Sequence, residues 1–108
     1  MSLLNNKTEN GGYVYFIRDG LGHIKIGVAT NVKIRIAQLQ TANPMKLDYY
    51  YGMHVKTVDD AYEIEKELHS KFSKDRLMGE WFNENNVLNF LRQPNISTQR
   101  YSFQGATW

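Results

Sequence analysis

Apolar residues gather in short blocks between polar stretches rich in glycine, asparagine or proline, and the spacing within each block distinguishes strands from helices. Residues 13–17, Tyr-Val-Tyr-Phe-Ile, are all strand formers, and residues 23–28 form a second β-rich run. Asp19-Gly20-Leu21-Gly22 lies between them and supplies residues that accept positive φ, so the pair predicts a hairpin. Alternation places Tyr13, Tyr15 and Ile17 on one face of the first strand and Val14 and Phe16 on the other. With Val14 and Phe16 turned to the core beside Ile24, Ile26 and Val28, Tyr15, Lys25 and Gly27 look out together from the opposite face.

Beyond the hairpin the period changes. Thr30 or Asn31 can cap a helix whose stripe is Val32, Ile36 and Leu39, and Asn43-Pro44 stops it. Residues 47–55, with three successive tyrosines, predict a third strand. Thr57-Val58-Asp59-Asp60 resembles a capping box and opens a helix to about Phe72. A charged turn and Gly79 lead through Glu80-Trp81-Phe82-Asn83 to a short helix at residues 87–91, closed by Gln93-Pro94. Trp81 and Phe82 read as core anchors. The expected elements therefore run in the order β-β-α-β-α-α. Residues 1–11 read as a flexible N-terminal arm, 12–93 as the folded domain and 94–108 as a C-terminal tail that could add an edge strand.

Composition narrows the chemistry. Of 108 residues 42% are hydrophobic and none is cysteine, which excludes disulfides, thiolate zinc sites and cysteine nucleophiles. The start of the chain lacks the apolar run of a signal peptide and there is no long apolar stretch, so a soluble cytoplasmic protein with no membrane partner is expected. The net charge of +2 is modest. Its distribution says more: from Asp19 to Asp48 no acid intervenes while Lys25, Lys33, Arg35 and Lys46 accumulate, and acids then crowd into Asp59, Asp60, Glu63, Glu65 and Glu67. The basic half suits a polyanion; both halves also suit an ordinary solvated surface.

One carboxylate breaks the pattern of its helix. At about 100° per residue, Ala61, Ile64, Leu68 and Phe72 form one apolar stripe and Glu65 falls inside it, whereas Asp59, Asp60, Glu63 and Glu67 lie on the other side. An inward carboxylate must be paired, protonated or set in a cleft where it meets a cation. His69, one turn on, is either its hydrogen-bonded partner or a structural histidine. Arg35 occupies the margin of the first helix's stripe, from which its guanidinium can reach a neighbouring cleft.

The order Tyr13-Val14-Tyr15, Lys25-Ile26-Gly27, Arg35 and Glu65 resembles the GIY-YIG nuclease superfamily. The blocks Leu39-Gln40-Thr41-Ala42-Asn43-Pro44, Glu65-Lys66-Glu67-Leu68-His69 and Gly79-Glu80-Trp81-Phe82 are similar to its phage-type branch, related to the fungal meiotically up-regulated proteins. The resemblance spans roughly residues 12–92 and implies an α+β fold, a small three-stranded antiparallel sheet flanked by about three helices. It implies a metal-dependent DNA endonuclease in a bacterial or phage-infected cell, with Tyr15, Gly27, Arg35 and Glu65 in the family's functional positions and Asn83 near its late asparagine. Lys25 stands where the second triplet usually has tyrosine.

On this basis Glu65 is expected to hold one Mg²⁺ or Mn²⁺, Arg35 to stabilise the transition state, and Tyr15 to orient or activate water, with Lys25 as its neighbouring cation or as a phosphate contact. Gly27, Lys33, Lys46, His69 and Asn83 are expected to line the nucleic acid, which is DNA, or alternatively RNA. A protein partner or a homodimer would supply specificity. The alternative from another class is a nucleic-acid-binding module of the same fold without catalysis.

Overall fold

The computed structural model describes residues 11–93 and the backbone of one further strand, at Ser102–Gly105. Of the expected arm at residues 1–11, residues 1–10 lie outside the described residues. The elements run β1 (Gly12–Arg18), β2 (His23–Ala29), α1 (Val32–Thr41), β3 (Asp48–Val55), α2 (Val58–Lys71), a 3₁₀ turn (Ser73–Asp75), β4 (Arg76–Met78), β5 (Trp81–Asn83), α3 (Glu84–Leu91) and β6 (Ser102–Gly105).

The local signals act where the sequence places them. Gly20 and Gly22 take φ of 79° and 93° in the hairpin turn, and Asp19 Oδ1 accepts from Leu21 N at 2.8 Å. Asn31 Oδ1 accepts from Ile34 N at 3.0 Å to cap α1, and Thr57 Oγ1 accepts from Asp60 N at 3.0 Å to cap α2. The α+β class is as expected, but the sheet is larger. Among the described residues its order is β4-β5-β2-β1-β3-β6, six strands where three were expected. β4 and β5 have three residues each, too short for a period of two to show, and both lie in the stretch read as a turn leading into a helix. β6 is the edge strand left open for the tail, pairing Tyr51 with Gly105 and His54 with Ser102.

The hairpin register pairs Val14 with Val28, Tyr15 with Gly27 and Phe16 with Ile26. One face therefore carries Val14, Phe16, Ile24, Ile26 and Val28 into a core completed by Ala61, Ile64, Leu68 and Phe72 of α2 and by Val87, Leu88, Phe90 and Leu91 of α3. The other face is not an open surface. Tyr15 and Ile17 are fully buried there with Val32 and Leu47, and partly buried Ile36, Leu39 and Trp81 pack against them. Tyr15 thus does not look out, because α1 covers it. Trp81 and Phe82 point to opposite faces, Phe82 into the larger core and Trp81 into the smaller.

Candidate active site

The polar residues singled out in the sequence converge beside β2, where its pairing with β5 ends. That ladder covers His23–Lys25, and Ile26 N donates to Glu80 O at 3.1 Å just beyond it. Tyr15, Lys25 and Arg35 approach from the α1 side of the sheet, and Glu65 and His69 from α2.

Tyr15 is the floor. It lies opposite Gly27, and a Cβ at Gly27 would come 2.3 Å from the phenol oxygen and 2.4 Å from Cζ. Glycine is required here because the ring occupies the space a side chain would take. Burial pushes the Tyr15 phenol above its usual pKa; the Arg35 guanidinium, which hydrogen-bonds to it, pulls the other way, and the charges of Glu80 and then Glu65 add to the rise. Arg35 is otherwise exposed on α1. The cation beside the phenol is thus Arg35, whereas the sequence suggested Lys25. Lys25 instead directs Nζ to Glu80 Oε1 at 3.0 Å and stands 5.9 Å from the centroid of the Trp81 ring.

Glu65 is drawn in as its helical position predicts. Its side chain is only 15% exposed. Burial raises its pKa to about 7, helped by the charge of Glu80 and by a hydrogen bond between the two carboxyls, while Lys25 opposes the rise. His69 is a looser neighbour, with Nε2 3.9 Å from Glu65 Oε2. The same nitrogen lies 3.0 Å from the Ile26 carbonyl, which can only accept, so Nε2 carries the hydrogen. His69 also meets the Phe82 ring edge-on at a centroid distance of 5.0 Å, which fixes the imidazole between α2 and the sheet.

The remaining expected residues stand apart. Lys33 is exposed on α1 and Lys46 on the loop after it, so both remain on the surface without joining the cluster. Asn83 Oδ1 accepts from Asn85 N at 3.1 Å and caps α3, at the end of β5 away from Glu80. Glu80 is the member that sequence reasoning missed. It belongs to no periodic element, and only its place just before β5 brings it to Lys25 and Glu65; the available signal was the Gly79-Glu80-Trp81-Phe82 block itself.

The raised pKa of Glu65 gives a testable sign. In the unfolded chain its carboxyl ionises near the usual 4.5, and in the fold only near 7. Its contribution therefore favours folding most at pH below the unfolded value and is lost as pH rises toward 7. Glu65→Gln, which keeps a neutral group of the same shape, should raise the unfolding midpoint at pH 8 and leave it nearly unchanged at pH 4. Thermal melts of both proteins across that range measure the difference.

A tyrosine, an arginine and two carboxyls thus come together beside β2 in a small α+β domain. Residues 12–93 match the T5orf172 domain, and the chain belongs to that family. The family is phage-associated and of the nuclease class, so this is a nuclease-like domain. No curated protein matches the chain, and no solved structure does. Among the described residues no helix is long and apolar enough to cross a membrane.

Proposed function

We propose that this domain is an endonuclease that hydrolyses phosphodiester bonds in DNA with one Mg²⁺ or Mn²⁺ held by Glu65. The observation that carries this reading is the convergence of Tyr15, Arg35 and Glu65, from β1, α1 and α2, at the edge of β2. Among the described residues no group of three or more His, Asp or Glu side chains is arranged around one point. Mg²⁺ is commonly held through one or two carboxylates with waters and substrate phosphate completing its shell, so Glu65 is chemically sufficient as the protein's ligand. The donor chemistry fits as well: a hydrogen bond between two carboxyls requires a proton that a divalent cation at Glu65 would displace. When bound, the ion supplies charge stabilisation to the phosphate and lowers the pKa of water.

Arg35 provides the second positive group. Its planar fork has donors beyond the one directed at Tyr15 and can take the non-bridging phosphate oxygens, with increasing strength as charge develops there. Tyr15, sealed beneath, fixes where that guanidinium stands. Burial raises the phenol pKa while the Arg35 guanidinium opposes the rise; through its hydroxyl Tyr15 orients Arg35, or orients or activates a water.

Arg35→Ala should lower the rate of supercoiled-plasmid nicking roughly 10²–10³-fold, the usual cost of removing one transition-state donor. Gel-shift affinity should fall far less and keep its salt dependence, because the other basic residues remain. Equal losses in binding and in rate would assign Arg35 to substrate binding alone. A binding module without catalysis is the second reading, favoured by the engagement of Lys25 with Glu80. It predicts salt-dependent binding with no nicking at any metal concentration.

A further inference from the structure

The contact between Lys25 and Glu80 has no catalytic role assigned to it so far, yet its construction is specific. The two residues are far apart in sequence, and the main chain brings them together: Lys25 is the rung opposite Trp81, and Ile26 N donates to the carbonyl of Glu80 itself. Glu80 is thereby pinned beside Lys25 before either side chain makes a contact. Nζ and Oε1 then close to 3.0 Å, with the Lys25 side chain only 14% exposed. A flexible lysine is held in one place by a fixed acceptor for its ammonium and a wall for its stem; Glu80 supplies the first and the Trp81 ring the second. Lys25 faces the same side of the sheet as Tyr15, and its charge acts on Glu65.

We infer that Glu80 is a positioning residue, holding the Lys25 ammonium beside Glu65 so that the site presents a second fixed cation, besides Arg35, to a substrate phosphate. This rests on the nuclease reading for its consequence but not for its geometry. One of the three ammonium hydrogens goes to Glu80, and the group can still donate to a phosphate oxygen.

The test compares native protein with Glu80→Gln, Glu80→Asp, Lys25→Met and the double variant Lys25→Met/Glu80→Gln, each first shown by thermal unfolding to be folded. Competitive acetylation followed by peptide mass spectrometry reads the shielding of each lysine without needing activity. Glu80→Gln should raise Lys25 labelling several-fold and leave the other lysines unchanged, and Glu80→Asp should restore part of the shielding. In plasmid nicking, Glu80→Gln should lower turnover at saturating DNA by on the order of tenfold, the usual scale for loss of a supporting partner. The double variant should be no slower than Lys25→Met. Unchanged Lys25 labelling in Glu80→Gln overturns the proposal, as do losses that multiply in the double variant, which would mean that Glu80 acts independently of Lys25. If native protein does not nick, the nuclease reading fails by that result, and the labelling arm alone decides whether Glu80 holds Lys25.

Discussion

Glu65→Ala should reduce metal-dependent nicking to background while leaving the protein at least as stable as the native chain at pH 8. The two halves of this expectation have one cause. Glu65 lies among Ile64, Leu68 and Ala61 on the inner side of α2, where a carboxylate is desolvated and its pKa rises to about 7. Such a group costs stability at any pH where it ionises, so losing it relieves the fold. A residue that weakens the structure and is retained for chemistry shows this opposition between stability and activity. Glu80 does not stand in for it, because Glu80 is paired with Lys25. Rates with Mg²⁺ and Mn²⁺, together with melting curves of the same preparations, check both halves. Lost stability together with lost activity would make Glu65 a structural residue.

Gly27→Ala has the second large expected effect, and it acts through Tyr15. The added Cβ would fall 2.3 Å from the phenol oxygen, 2.4 Å from Cζ and 2.9 Å from Cε1, so the whole end of the ring must move. The ring has little room, because Tyr15 is completely buried with Ile17, Val32 and Leu47. Overpacking of this kind costs roughly 1–3 kcal/mol. For a domain of this size each kcal/mol lowers the melting temperature by about 4–8 °C. Activity should fall further than stability, since a misplacement of about 1 Å at a reacting centre can cost 10²-fold. The displaced phenol also carries the hydrogen bond that places Arg35. A Gly27→Ala protein with native melting temperature and native rate would show that the ring has another position.

The comparison of sequence and structure separates what periodicity can reveal from what only pairing decides. The hairpin register was readable because Val14, Phe16, Ile24, Ile26 and Val28 are apolar at every second position, and a one-residue slip would expose them all. Glu65 was readable for the same reason in helical form, as a charge inside an otherwise apolar stripe. Tyr15 misled, because alternation with Lys25 and Gly27 across the hairpin resembles a solvated face. The stripe of α1 that covers it is thin, with only Val32 fully buried. β4 and β5 carry too few residues for any period. Glu80 has meaning only once β5 lies against β2, and the cap at Asn83 only once α3 begins at Glu84. The residues that set the site's electrostatics were therefore partly legible. The pairing of Lys25 with Glu80, which moves Lys25 away from the expected role beside the phenol, was not.

The central claim is that the group at the edge of β2 cleaves DNA with a divalent cation, and nicking of supercoiled plasmid by the native protein tests it most directly. The reaction is run with Mg²⁺, with Mn²⁺ and with EDTA, beside Glu65→Ala purified in the same way. Relaxed plasmid appearing with either metal, absent with EDTA and absent with Glu65→Ala, is the predicted result. Equal nicking by native protein and Glu65→Ala, or no nicking by native protein with either metal while it still binds DNA in a salt-dependent way, would contradict it.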